Sequence, residues 1–332
     1  MPGLHGSTQT RIFILERHRC LPVSQKQTAE ARLGLLTAEV AELNILLKPF
    51  VPWFGPGVCS ALCINFLGKS PRPSPFSRFG DLLLKVRIYS DLHLEIEAQP
   101  SFCRGNAGDR VDLVILAGDI HTKGRGVAWA QEMFDVPVIY VCGNHEFYKG
   151  HIDRTLQSMK QLAADSNVHV LENECLVVGK VRILGATAWT DFATGESVYQ
   201  ASQEARRGMN DFRLIRAGEG YRALSISDVI SRNHQTYQWL KEELAKEFDG
   251  QTVVVTHHCP LVSYCGPEQS SPLMPAYSNN WPELVRKADS WIFGHTHSHV
   301  DVVVDGCRLI SNPKGYPGEL CGFNDDFVID IN

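Results

Sequence analysis

The sequence lacks the cysteine patterns of zinc fingers, thiol oxidoreductases and disulfide-stapled secreted domains. Its ten cysteines are scattered, and no two of them form a C-x-x-C pair. A chain of 332 residues with 44% hydrophobic residues can bury a large core without covalent cross-links. We therefore expect reduced thiols, a cytoplasmic protein and no zinc site built from cysteine.

Long apolar runs suited to a membrane are also missing. Residues 49–68 are uncharged, but Pro49, Pro52 and Pro56 lie in the first half of this stretch. Proline removes a backbone hydrogen bond and is poorly tolerated in a spanning helix. We therefore expect no membrane span.

No basic run that would follow a nucleic-acid backbone is present in the body of the chain. The formal net charge is −5, which divides into +5 for residues 1–80 and −10 for residues 81–332. Nucleic-acid binders usually neutralise phosphates with clustered Lys and Arg. The charge therefore favours a small phosphorylated substrate over duplex DNA, although single strands can bind on stacked aromatic side chains with few charges.

The composition changes near residue 80. Residues 1–80 are mixed and polar, with one helix-like segment at 29–47 and a proline-rich stretch at 71–75 that is typical of a linker. We expect residues 1–80 to be a poorly ordered N-terminal extension, or to derive from an upstream start, and residues 81–332 to form the main domain.

From residue 82 onward, short apolar strands alternate with helical stretches, a pattern typical of a layered α/β domain. The predicted strands cover residues 82–89, 113–117, 136–142, 181–186, 253–256 and 291–293. Helices are predicted at residues 152–164 and 228–248.

Five predicted strands end directly in a polar cluster. The clusters are Ser90-Asp91-Leu92-His93, Gly118-Asp119, Gly143-Asn144-His145-Glu146, His257-His258 and Gly294-His295-Thr296-His297. In open α/β sheets, functional groups collect just past the carboxyl ends of the strands. We therefore expect these clusters to share one crevice.

The side chains of these clusters form a mixed nitrogen and oxygen donor set. Asp91 and His93 are two residues apart, so their side chains point to the same side of an extended segment. Asp119 offers two carboxylate oxygens that can bridge two cations. Such donors suit Mn, Fe, Zn or Ni better than Ca. A cap, a turn or a buried histidine would explain each residue alone, but their combined order indicates a metal site.

The motifs D-x-H, G-D, G-N-H-E, H and G-H-x-H resemble those of the calcineurin-like metallophosphoesterase superfamily over residues 86–312. The resemblance implies a four-layer α/β/β/α sandwich that holds two divalent metal ions. The ligands implied for one ion are Asp91, His93, Asp119 and His297. The ligands implied for the other ion are Asp119, Asn144, His257 and His295. Asp119 would thus bridge the ions, and His145 would face the substrate beside them.

This resemblance implies a metal-dependent hydrolase that cleaves a phosphate mono- or diester through a hydroxide shared by two ions about 3.5–4 Å apart. His145 is the candidate for protonating the leaving oxygen, and Glu146 is expected to orient a neighbouring group. Two alternatives remain open: a nuclease acting on single strands, and an inactive, metal-bound interaction module of the same fold. The inactive module predicts lost ligands, whereas every motif is complete here.

The details of the motifs argue against two classes of phosphoesterase but do not identify the substrate. Ser/Thr protein phosphatases carry G-D-x-V-D-R-G, whereas this chain reads Gly118-Asp119-Ile120-His121-Thr122, without that arginine. Lipid-precursor hydrolases have arginine where His145 stands. The single-domain, bacterial-type phosphodiesterases are most similar in size and motif form.

Two segments are candidates for substrate contact. Residues 188–222 combine aromatic side chains with arginines such as Arg213, which can bind phosphate through two nitrogens, but a solvated helical hairpin explains the same composition. Lys314 and Tyr316 follow the last predicted ligands in a turn-rich segment. We take Arg213, Lys314 and Tyr316 as candidate substrate contacts, with an ordinary turn as the alternative for the last two.

We predict that residues 1–80 are dispensable for catalysis, because every predicted ligand lies beyond them. A protein truncated to residues 81–332 should fold, bind the same amount of metal and keep the turnover of the full chain. Metal analysis and kinetics on the two proteins side by side check this expectation. Failure of the truncated protein to fold would contradict it.

Overall fold

The computed structural model of the protein describes residues 83–96 and 111–331. The predicted helix at residues 29–47, the uncharged stretch at 49–68, the linker at 71–75 and the extension 1–80 as a whole lie outside the described residues. Within the described part, no helix combines the length and apolarity that crossing a bilayer requires. The described cysteines are all free thiols.

The first sheet contains, in spatial order, β13 (Val328–Ile331), β1 (Leu84–Tyr89), β2 (Leu113–Ala117), β3 (Val138–Val141) and β4 (Val168–Leu171). Strands β1 to β4 run parallel, and β13 pairs antiparallel with β1 at one edge. The inner strands β2 and β3 are apolar and buried throughout, as expected for strands covered on both faces.

The second sheet contains, in spatial order, β11 (Val300–Val304), β12 (Cys307–Ser311), β10 (Ser290–Phe293), β9 (Gln251–Thr256), β6 (Val181–Ala186) and β5 (Glu174–Val178). The four inner strands are parallel, and β11 and β5 are antiparallel at the two edges.

The helices of the described residues are α1 (Arg125–Met133), α2 (Ile152–Ala163), α3 (Val198–Gly208), α4 (Asp211–Leu214), α5 (Ile226–Glu243), α6 (Met274–Tyr277) and α7 (Pro282–Val285). Short 3₁₀ turns cover His145–Phe147, Val262–Tyr264 and Gly266–Ser270. A small hairpin joins β7 (Arg216–Ala217) to β8 (Arg222–Ala223).

The two sheets pack face to face. Ile115 on β2 is fully buried in the apolar layer between the sheets, together with Val253 and Val255 on β9. Tyr140 on the other face of the first sheet packs in the cluster that includes α1 and α2. Trp291 on the other face of the second sheet packs in the cluster that includes α5 and α7. The predicted four-layer α/β/β/α sandwich is therefore confirmed.

Helix α5 begins and ends earlier than the predicted range of 228–248. The Ser225 hydroxyl accepts from the amide of Asp228 at 3.3 Å, and the amide of Ser225 donates to the Asp228 carboxylate at 2.8 Å. This capping box sets the first helical residue. Arg182 donates to the carbonyl of Glu243 at 3.1 Å, which satisfies a terminal acceptor where the helix ends.

The predicted polar clusters follow the carboxyl ends of β1, β2, β3, β9 and β10. Because these strands are parallel within their sheets, the loops that follow them lie at one edge of each sheet. Nδ1 of His257, after β9, donates to the carbonyl of Ala117 on β2 at 3.0 Å. This contact joins the loops of the two sheets into one crevice.

Candidate metal centre

Eight polar side chains meet in the crevice at the carboxyl ends of these strands. Seven are buried, and the side chain of the eighth, His297, is 18% exposed. The eight are Asp91, His93, Asp119, Asn144, His145, His257, His295 and His297. They are the predicted metal ligands together with the predicted catalytic histidine.

Asp91, His93 and His297 form a first group. Nε2 of His93 lies 3.1 Å from Nε2 of His297, which in turn lies 3.6 Å from Oδ1 of Asp91. Two imidazole nitrogens and a carboxylate oxygen at these separations can bind one cation.

Asn144, His257 and His295 form a second group. Nε2 of His257 lies 3.1 Å from Oδ1 of Asn144 and 3.1 Å from Nδ1 of His295. The amide nitrogen of Asn144 points away, donating to Asp211 at 2.9 Å and to Tyr148 at 3.1 Å. The amide oxygen is therefore turned toward the crevice, as a metal ligand requires.

Asp119 lies between the two groups. Its Oδ1 is 3.5 Å from Nε2 of His257, and its Oδ2 is 3.9 Å from Nε2 of His93. Burial alone would raise the pKa of Asp119, but His145, His257 and His93 hold it well below its usual value. An ionised carboxylate thus presents one oxygen to each group.

Hydrogen bonds behind three of the histidines fix their rings. Nδ1 of His257 donates to a backbone carbonyl, Nδ1 of His297 lies 2.6 Å from Oε2 of Glu319, and Nδ1 of His93 lies 3.3 Å from Oε1 of Glu95. In each case Nε2 is left facing the crevice. Metal-binding histidines are usually supported in this way, so the residues present fit a divalent metal site.

Several of these residues have left-handed backbone conformations. The φ angles are 52° for Asp91, 46° for His93, 55° for Asp119, 68° for His295 and 48° for His297. Such conformations cost a residue other than glycine on the order of 1–3 kcal/mol. Backbone hydrogen bonds of 3.0 Å from Asp91 to Gly118 and from His93 to Asp119 hold two of these turns. The strain is therefore concentrated where the loops turn side chains into the crevice.

Two glycines allow the loops after β2 and β3 to approach each other closely. A Cβ on Gly143 would lie 2.7 Å from the amide nitrogen of Asp119 and 2.7 Å from Cε1 of His257. A Cβ on Gly118, which has φ +88°, would lie 2.8 Å from the amide nitrogen of Gly143. A side chain fits at neither position.

Glu146 supports the same two loops from behind. Its carboxylate accepts hydrogen bonds from the amides of Asp119 at 3.0 Å, Ile120 at 2.9 Å and Gly143 at 2.7 Å, and from the Tyr140 hydroxyl at 2.8 Å. Glu146 thus holds the backbone on both sides of the ligands, which agrees with the predicted orienting role.

His145 lies beside Asp119, with contacts at both ring nitrogens. Nδ1 lies 2.7 Å from Oε1 of Glu95, and Nε2 lies 3.2 Å from the hydroxyl of Tyr316 and 3.8 Å from Oδ2 of Asp119. Burial alone would lower the pKa of His145, but Asp119 and Glu95 outweigh it and raise the pKa to about 9. The carboxylates favour the protonated ring, the form that a general acid needs.

Three carboxylates that lie in the site were not among the predicted metal-binding or catalytic residues. Glu95 binds His145 and His93, Glu319 binds His297, and Asp211 binds Asn144. Glu95 is two residues from His93, so its position in the sequence was a signal. The φ angles of Asp91 and His93 show, however, that this segment turns, so the extended conformation predicted for it is wrong. Asp211 and Glu319 are far from their partners in sequence, and only the fold brings them together.

The structure places one of the three predicted substrate contacts in a cavity beside the candidate ligands and the other two outside that cavity's lining. A cavity of about 450 Å³ lies above the ligands, and Tyr316 lines it. Arg213 and Lys314 are not among its described lining residues. The exposed Arg213 instead donates to Oδ1 of Asn210 at 2.6 Å, and Asn210 itself lines the cavity.

A family model for calcineurin-like phosphoesterases matches residues 84–299. The chain belongs to the calcineurin-like phosphoesterase family. The predicted enzyme class is thereby confirmed: the protein is a phosphoesterase of a metal-dependent family. The number and identity of its ions stay predictions.

Two further comparisons found proteins that are similar to this chain. The chain is 24% identical over 212 residues to uncharacterized protein L509 of Acanthamoeba polyphaga mimivirus, a match that covers 59% of this chain and 74% of the viral protein. Its fold is similar to that of phosphopantetheinyl hydrolase from Mycobacterium tuberculosis, with a TM-score of 0.57 and 18% identity. That match covers 71% of this chain and 90% of the mycobacterial chain, and it concerns the fold alone.

We predict that Gly143→Ala weakens metal binding by about 10–100-fold, because the added methyl group would displace Asp119 or His257. Metal titration of the purified variant, with circular dichroism to show that it is folded, checks this. Gly220→Ala is the control, since a Cβ there would meet nothing within 4 Å. Unchanged affinity in the Gly143 variant would contradict the close packing of the two loops.

Proposed function

We propose that the protein is a two-metal hydrolase that cleaves a phosphate monoester or diester of a small phosphorylated substrate. The observation that carries this proposal is the orientation of Asp119, whose carboxylate oxygens face separate groups of ligands. A carboxylate in that orientation is suited to bridge two ions. Family membership makes phosphate esters the expected substrates.

Each ion would have four protein ligands, with Asp119 shared. The ligands proposed for one ion are Asp91, His93, Asp119 and His297. The ligands proposed for the other ion are Asp119, Asn144, His257 and His295. Mn, Fe, Zn and Ni suit this donor set. Two such ions supply stabilisation of charge on the phosphoryl group and activation of water near neutral pH.

His145 is proposed to give its proton to the leaving oxygen as the P–O bond breaks. Glu95 holds Nδ1, so Nε2 is directed toward the cavity, where the hydroxyl of Tyr316 lies 3.2 Å away. A proton donor held in this position contributes about 10²–10⁴-fold to such reactions. Glu95 is thus a positioning residue for His145.

Cavity size and charge both support a small substrate. The cavity of about 450 Å³ above the ligands falls within the usual range of about 300–1,000 Å³ for small-molecule sites. The balance of −10 over residues 81–332 opposes a polyanion that would track across the surface. The predicted boundary near residue 80 and the cytoplasmic location stay predictions.

We predict that Asp119→Ala loses both metal ions and all activity, because the bridging ligand belongs to both sites. His297→Ala should lose mainly one ion. The wild-type protein with Mn²⁺ should hydrolyse at least one small ester in a panel of nitrophenyl phosphate mono- and diesters, cyclic nucleotides and single-stranded DNA. Metal analysis of the variants, with turnover on the same panel, checks both expectations.

Two results would overturn parts of this proposal. Two ions per chain with normal turnover in Asp119→Ala would contradict the two-metal site. A wild-type protein that cleaves only single-stranded DNA would contradict the small substrate and favour the nuclease.

We predict that His145→Ala keeps both ions and loses activity selectively. An ester with an alkoxide leaving group should be hydrolysed about 10²–10⁴-fold more slowly, because alkoxides need the proton. A nitrophenyl ester should be much less affected, since nitrophenolate leaves without one. Turnover of both esters, with metal content, is the measurement.

The control for this prediction is His234→Ala, which replaces an exposed histidine on α5 and should change neither rate. Equal losses on both esters would make His145 structural, and loss of metal would make it a ligand. Both results would contradict the proton-donor role.

A further inference from the structure

A second cavity, of about 670 Å³, adjoins the cavity above the metal ligands. Four residues line both cavities: His145, Tyr148, Asn210 and Tyr316. The two spaces therefore share a wall that contains the proposed proton donor. A ligand that occupied both cavities would pass His145.

Three cationic side chains form part of the wall of this second cavity. Lys123, Arg125 and Lys149 line it, and none of the three forms an ion pair with another described residue. Glu95 is the single carboxylate in its described lining, and it already binds His145. The described lining is therefore positive, although residues 81–332 carry a balance of −10.

Two of these cationic residues lie in backbone turns that are held by hydrogen bonds. Lys123 and Lys149 both have φ 57°, a left-handed conformation that is costly for lysine and that tends to occur at ligand-binding sites. The amide of Lys123 donates to the carbonyl of Glu146 at 2.8 Å, and that of Lys149 donates to Leu214 at 3.0 Å. A Cβ on Gly150 would lie 3.6 Å from Cε of Lys123, so this side chain runs beside the turn that carries Lys149.

The start of α1 adds to the positive potential. Arg125 is the first residue of this helix, its N-cap residue Gly124 provides no side-chain cap, and the first turn contains no acidic residue. The N-terminus of a helix carries partial positive charge and favours anions. Three side chains and a helix end thus favour an anion in the same cavity.

Besides polar Thr122 and Asn210, the wall contains apolar and aromatic side chains. Ile96 and Leu214 line it, together with the rings of Tyr148 and Tyr316 on the side shared with the metal centre. Such a surface suits an uncharged organic segment. A substrate that occupied both cavities would therefore contact the candidate metal ligands, apolar and aromatic side chains, and the cationic side chains.

We propose that the leaving group of the substrate carries a second phosphate, which binds Lys123, Arg125 and Lys149 while the scissile phosphate lies at the metal centre. The substrate is then a small molecule with phosphates at both ends of an organic spacer. This inference rests on the proposed function and narrows its substrate class.

The position of His145 determines which part of the substrate enters the second cavity. In the reaction, the oxygen of water bonds to phosphorus, and the bond from phosphorus to the leaving oxygen breaks with its electron pair on that oxygen. The leaving oxygen takes a proton from His145, and the proton lost by the water restores the protonated His145. The products are inorganic phosphate and an alcohol that keeps the second phosphate. Because His145 lies in the shared wall, the space beyond it receives the leaving group.

The size of the basic region favours a small molecule over a nucleic acid. Three cations around one cavity suit a single terminal phosphate, whereas a polynucleotide is held by a track of cations along its backbone. The cavity therefore suits one further phosphate.

Alkanediol bisphosphates test the inference when each is compared with the hydroxyalkyl monophosphate of the same chain length, from ethane-1,2-diol to hexane-1,6-diol, with Mn²⁺ present. At one chain length, kcat/KM for the bisphosphate should exceed that for the monophosphate by about tenfold or more. A maximum at one length is expected because the distance between the two sites is fixed.

Lys123→Gln, Arg125→Gln and Lys149→Gln should each lower kcat/KM for the preferred bisphosphate by roughly fivefold, while the monophosphate is unaffected. The triple variant should hydrolyse both compounds equally well. Lys287→Gln removes an exposed lysine outside both cavities and should change neither value.

The outcomes separate this inference from the proposed function. If the wild-type protein hydrolyses neither compound and no small ester of the panel described above, the proposed function fails, and the inference with it. If it hydrolyses a panel ester but prefers no bisphosphate over its monophosphate, or if the variants keep the preference, only the inference fails. If the variants impair cleavage of a single-stranded oligonucleotide more than that of the bisphosphate, the cations bind nucleic acid and the inference is wrong.

Discussion

The buried carboxylate of Glu146 is the contact on which the rest of the site depends. It accepts hydrogen bonds from backbone amides in the loops after β2 and β3, so one side chain sets the distance between Asp119 and Asn144. Burial and the nearby charge of Asp119 raise the pKa of Glu146 to about 7, and its donors offset part of that cost. Without Glu146, the amides it binds would be buried without partners.

Sequence patterns predicted the inner strands far better than the edges of the sheets. β2 and β6 have the predicted bounds because they are buried on both faces, and a short apolar run is then a strong signal. Strands β4, β5, β7, β8, β11, β12 and β13 were not predicted, and of these β12 is an inner strand of the second sheet. β5 and β11 are partly exposed edge strands, where polar residues interrupt the apolar pattern. β3 is shorter than predicted because Pro137 has no amide hydrogen for the ladder.

The crevice that the candidate ligands share was predictable because their motifs are local, each a few residues long at the end of a strand. The groups that support them were less so. Glu319 and Asp211 act on partners 22 and 67 residues away, and no short motif records such a pairing. The second cavity has the same property, since Lys123 and Lys149 line it together only because two loops turn beside each other. Functional residues within a short motif can be recognised from the sequence, whereas supporting residues that are distant in the sequence are found only from the fold.

The shared wall between the two cavities has a consequence for product release. A substrate anchored at both ends gains from a high effective concentration of its second phosphate once the first is bound. Hydrolysis of the proposed bisphosphate would cut the molecule between the two anchors, so neither product could occupy both cavities. Each fragment would then leave with the affinity of a single attachment. Cleavage of the bond would itself weaken binding, which would limit inhibition by the products and favour repeated turnover.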